Sequence, residues 1–171
     1  MSSVKPCPLP DNALLGRYRN NPAPELAGAY TDCYAMTVAG SVMLADFVYA
    51  FYTTWVFKLE RLILKYLVSR PSTDGQARDL ADGLSTVFAA WDVEDRSANQ
   101  LLMCDLNQRT RSWFMVDRNE AETTLFFGSA VTPVKKHGQE RYELGTGFDM
   151  LLGFHKLYSR VLLRAARARL G

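Results

Sequence analysis

The segment between residues 86 and 131 sets the tightest limit on what this chain folds into. Four β-prone runs, Thr86–Glu94, Gln100–Leu106, Arg111–Asp117 and Thr123–Val131, are joined by DRSAN, NQRT and RNEAE. A parallel crossover needs a dozen or more residues. Connectors this short, charged and turn-forming leave only antiparallel neighbours, so the spacing predicts a four-stranded meander. Pro133 ends its last strand.

The flanking segments read as one strand and several helices. Tyr30 to Val38 (YTDCYAMTV) alternates as a strand whose two faces are both mixed, which predicts partial cover on each. From Ser41 onward Met43, Leu44, Phe47, Val48, Phe51 and Trp55 recur at helical spacing, with Ser41 as the expected cap. A second periodic run continues to Leu67, Thr54 marks a candidate bend, and Arg70-Pro71 stops the helix. Ser72 to Gly83 reads as a short polar helix with a glycine stop. Lys135 to Gly147 is polar and carries no clear period. From Phe148 to Leu170 one stripe holds Phe148, Leu151, Leu152, His155, Tyr158, Leu162 and Ala166, an amphipathic helix widened by Leu157 and Val161.

Residues 1–27 hold five of the seven prolines and read as an extended or partly disordered arm, with Leu14, Leu15 and Tyr18 anchoring one helical turn. Residues 28–171 then form one α+β domain, an antiparallel sheet (N-terminal strand plus four-strand meander) packed on a long C-terminal helix. At 171 residues and 48% hydrophobic composition the chain builds a core without metals or disulfides.

Several functions find no support in the residues. A net charge of +2 sets up no field for nucleic acid, and Arg160, Arg164, Arg167 and Arg169 read as a solvated, dipole-compatible helix end. Three scattered cysteines, Cys7, Cys33 and Cys104, form neither a disulfide framework nor a zinc set, and read as small buried hydrophobes. With only His137 and His155 in the chain, no metal or cofactor is expected. Ser41 to Phe57 is apolar enough to test as a membrane span, but Asp46, Thr53 and Thr54 favour a core helix. The first residues lack a secretory h-region, so a cytoplasmic location is expected.

The quoted segments, YTDCYAMTV, then the aromatic-rich helical pair, FFGSAVTP and GFHKLYSRVLLRAA, resemble an uncharacterised bacterial domain family of the START-like (helix-grip, polyketide cyclase/lipid-transport-like) superfamily. His155, Lys156, Leu157, Tyr158 and Arg164 match the pattern of that family's last helix. The resemblance implies a curved sheet wrapping the C-terminal helix around a hydrophobic cavity. Five strands are read here where larger members have seven, which implies a smaller or self-filled cavity.

The ligand-contact candidates are His155, Tyr158 and Leu151 on the last helix, and Trp91 and Arg111 on the sheet. His155 on an apolar stripe suits a polar contact to a ligand, an acid/base, or a buried structural hydrogen bond. Trp91 shares a strand face with Val87, Ala89 and Val93, as core or as ligand wall. Arg111 either points inward, offering a carboxylate or phosphate fork, or lies outside stacked on Trp113. A Cys33–His155 nucleophile pair requires the two to meet in space. The leading expectation is a binding protein for an apolar or amphipathic small molecule. A homodimeric interaction domain, suggested by the apolar length of residues 41–67, and a cyclase- or hydrolase-like enzyme using His155 are the alternatives.

Overall fold

The β-prone runs pair as their short connectors require. In a computed structural model, strands β1 (Lys5–Pro6), β2 (Tyr30–Ala39), β3 (Val87–Phe88), β4 (Trp91–Arg96), β5 (Gln100–Asp105), β6 (Thr110–Arg118) and β7 (Glu122–Val131) form one open antiparallel sheet. Its order is β1-β2-β7-β6-β5-β4-β3. The structure describes residues 3–59, 61, 71–135, 142–144 and 148–170; the side chains of 134, 135, 142, 143 and 148–156 lie outside the described set. Strands β8 (Val134–Lys135) and β9 (Tyr142–Glu143) pair separately.

Two strands beyond the five read from sequence come from different sources. The arm contributes β1, whose Lys5 and Pro6 oppose Ala35 and Tyr34 of β2. The other arises because the run Thr86–Glu94 is not one strand. Val87 opposes Asp92 and Phe88 opposes Trp91, so the chain reverses at Ala89-Ala90. Ala89 takes a φ of 54° there, a left-handed conformation that costs a non-glycine residue roughly 1–2 kcal/mol. Nothing in a Phe-Ala-Ala-Trp string announces such a turn.

Helix α1 (Leu44–Tyr52) starts at an N-cap Met43 without a side-chain cap, so Ser41 does not serve as one. The bend falls where Thr54 suggests it. Thr54 Oγ1 donates to the Phe51 carbonyl at 2.9 Å and accepts from Phe57 N–H at 3.1 Å. It closes one helix and caps the helical stretch 55–59 that follows. Helix α2 (Asp74–Ala81) opens on a full capping box of Thr73 and Gln76, and Gly83 follows its end with a φ of 79°. Helix α3 (Phe148–Leu170) has the limits its periodicity predicts.

The sheet separates two cores. On one face, Tyr34 and Met36 of β2, Phe114 and Val116 of β6, and Leu125 and Phe127 of β7 meet α1, α2 and the last turns of α3. Leu162, Leu163 and Ala166 are buried there, whereas Leu157 is 61% exposed, so α3 is covered on fewer sides than its apolar width implies. On the other face, Cys33, Leu102, Trp113, Met115 and Ala130 are sealed by Leu9, Ala13, Leu15 and Tyr18 of the arm. The arm is therefore ordered structure, with a 3-10 helix at Leu14–Tyr18. Gly128 sits at the closest approach: a Cβ there would lie 2.7 Å from the Asp32 carbonyl oxygen and 2.9 Å from Leu15 Cδ2.

Candidate functional site

Between the inner sheet face and α3 lies a cavity of about 140 Å³. Its walls are mainly rings: Phe51 and Tyr52 from α1, Phe57 just beyond, Trp91 from β4, Phe127 from β7 and Tyr158 from α3. These rings hold one another in place. Phe51 lies 4.7 Å from Phe127 and 4.8 Å from Phe114 between centroids, and Tyr52 lies 4.7 Å from Phe57. Interlocked rings at such distances make a rigid wall, since no one of them rotates without displacing its neighbours.

The polar part of the lining is small. Ser112 and Ser129 from the sheet and Ser159 from α3 supply hydroxyls. Ser159 is fully buried, and its Oγ has no hydrogen-bond partner among the described residues. A buried hydroxyl without a partner costs about 1–3 kcal/mol. Beside an apolar cavity, it is the atom a ligand's polar group would satisfy.

The candidates read from sequence fall in three places. Trp91 and Tyr158 line the cavity. Arg111 also borders it, but strand alternation sends its side chain to the arm side. There its Nε donates to Glu94 Oε2 at 3.0 Å, its guanidinium carbon sits 4.7 Å from the Tyr18 ring centroid, and a further N–H donates to the Gln108 carbonyl. The fork is thus committed outside the cavity, stacked on Tyr18 and not on Trp113. His155 and Leu151 are helical in backbone, but their side chains lie outside the described residues.

The arm face has its own electrostatics. Tyr18 donates its hydroxyl to Glu94 Oε1 at 2.5 Å, and burial together with that bond pushes its phenol well above the ordinary range. Arg17 pairs with Asp95. Cys33 packs on this face with the arm residues, and the expected pairing with His155 falls on a side chain outside the described residues. Cys33 Sγ is 3.0 Å from Cys7 Sγ, a contact that cysteine spacing did not anticipate. On the other face of β2, which it shares with Tyr34 and Met36, Asp32 accepts from the Tyr30 hydroxyl at 3.1 Å and from Ser129 N–H at 3.0 Å.

What sequence reasoning missed is the α1 side of the site. Phe51, Tyr52 and Phe57 read as core periodicity, and only the break at Thr53-Thr54 marks where that core opens. Among the described residues there is no cluster of His, Cys, Asp or Glu suited to a metal, and no helix is long and apolar enough to cross a membrane. Compared with protein-family models, with curated proteins and with solved structures, the chain shows no match.

Proposed function

We propose that this chain binds an apolar or amphipathic small molecule in the cavity between its sheet and C-terminal helix. The observation that carries the reading is a ring-walled cavity lined by the buried Ser159 hydroxyl, which has no partner among the described residues. Few polar groups in a mostly apolar concavity are the usual chemistry of a ligand site. Its 140 Å³ is close to the engineered apolar cavity of about 150 Å³ that admits benzene. The ligand portion held there is therefore one small ring or a short acyl segment. The START-like, helix-grip reading accords with the long strand β2 lying beside β7, helices inserted between β2 and the meander, and a closing C-terminal helix.

Calorimetric titration with benzene and with phenol tests the proposal. Saturable one-to-one binding of both is expected, phenol more tightly by roughly fivefold to tenfold through a hydrogen bond to Ser159. Absence of saturable binding by either ring sinks it.

A second reading, self-association, is favoured by Trp55 and Leu59, which stand 73% and 55% exposed one helical turn apart. Exposed rings and aliphatic chains together often mark an interface. Sedimentation that finds only monomer at high concentration would remove this reading.

A further inference from the structure

The arm and the sheet edge bring together two thiols that lie 26 residues apart in sequence. Lys5 opposes Ala35 and Pro6 opposes Tyr34, so the next pair in register is Cys7 with Cys33. Cys7 N–H donates to the Cys33 carbonyl at 3.0 Å, which fixes that register. Directly opposed antiparallel residues have Cα atoms about 4.5–5.5 Å apart, within the range of about 4.4–6.8 Å that a disulfide spans. Both Sγ atoms already face each other at 3.0 Å.

We infer that Cys7 and Cys33 are a reversible thiol–disulfide site, oxidised by low-molecular-weight disulfides, whose closure fastens the N-terminal arm to the sheet. The two sulfurs have unequal roles. Cys7 is partly exposed beside an open surface hollow lined also by Tyr30 and Arg160, whereas Cys33 is buried. The hydrogen bond from Cys33 lowers the Cys7 thiol below its ordinary range, and the same bond together with burial raises that of Cys33. Cys7 is thus the attacking thiolate and Cys33 the resolving thiol.

The exchange balances in two steps. Cys7 thiolate attacks one sulfur of the small disulfide RS–SR, forming Cys7–S–S–R and expelling RS⁻. Cys33, losing its proton, then attacks the Cys7 sulfur, breaks the bond to SR and expels the second RS⁻. Two electrons pass from the cysteine pair to the small disulfide, and the two protons end on two RSH. Cys104 is buried on β5, and neither step involves it.

The closed ring holds the segment that covers Trp113 and Met115. Local opening of the arm must then proceed without releasing its first strand, and protection of the enclosed residues rises.

The test equilibrates the full chain across oxidised and reduced glutathione mixtures, traps free thiols by alkylation and maps the peptides by mass. At the oxidising end a Cys7–Cys33 crosslink is expected, two hydrogens lighter and reversed by a dithiol, with Cys104 alkylated. Cys33→Ser should instead accumulate glutathione on Cys7, and Cys7→Ser should carry none on Cys33. Tryptic cleavage after Arg17 and Arg19 should slow by roughly tenfold or more in the oxidised chain. A lasting Cys7–glutathione adduct in the unaltered chain, a bond to Cys104, or alkylation of both thiols under full oxidation overturns the site. Equal cleavage rates in the two states overturn the fastening.

Discussion

Gln100 does more than its place in a buried strand suggests. Its Oε1 accepts from both Trp113 Nε1 and Leu14 N–H at 2.9 Å, and its Nε2 donates to the Asn12 carbonyl at 3.0 Å. One amide thus satisfies an indole on the sheet and two backbone groups of the arm. Gln100→Leu should lower stability by about 2–4 kcal/mol, because buried donors and an acceptor are left unmatched; urea midpoints check it, and a loss within experimental error would show that the arm groups find water instead. Ser159→Ala should erase the advantage of phenol over benzene while leaving benzene binding unchanged, measured by the same calorimetry. At Asp74, a hydrogen bond from Lys58 first, and then one from Arg61, hold the carboxyl below its usual range. A depressed folded value means the unfolded chain binds more protons in acid. The resulting stability is complete above the unfolded carboxylate value near pH 4 and fades as pH falls through the lower folded one. Asp74→Asn should flatten that acid limb in denaturation series run from pH 6 to about pH 2.

The elements differ in how plainly their residues announced them. The last helix and the meander strands followed from periodicity and from connectors too short for any crossover, because those signals are local and repeated. The hairpin at Ala89-Ala90 did not, since its turn is imposed by the pairing of Phe88 with Trp91 and not by a residue suited to it. Placing the arm was equally out of reach: prolines predict extension, but only the exposed apolar face of the finished sheet says where an extended segment lies. The site was half legible for the same reason. Tyr158 carries a visible face. Trp91 shares its face with Val93 but not with Val87, because the hairpin sets Val87 opposite Asp92 on the other side. The side to which Arg111 turns depends on strand register, which single residues do not reveal. Thr54 is a further local device with a global effect. Thr54→Val should cost about 1–2 kcal/mol by uncapping the helical stretch beside Phe57. Thermal unfolding measures that cost, and an unchanged midpoint would mean the cap is dispensable.

For the whole molecule, the sheet is a partition between a ring-walled cavity on one side and a strapped apolar face on the other. Ligand binding should stabilise the entire fold, because sheet, α1 and α3 all contribute walls. A ring at 100 times its dissociation constant should add about 2.7 kcal/mol and raise the melting midpoint by roughly 5–10 °C. A ligand that binds without moving the midpoint would place its site elsewhere.

The sheet also stops abruptly at both flanks, in Lys5–Pro6 on one side and Val87–Phe88 on the other. A dipeptide carrying a proline and a lysine offers an incoming strand almost no ladder to copy, and two residues at the far flank offer little more. Fibril-like stacking and strand exchange that would copy either of these dipeptides are thereby discouraged by construction.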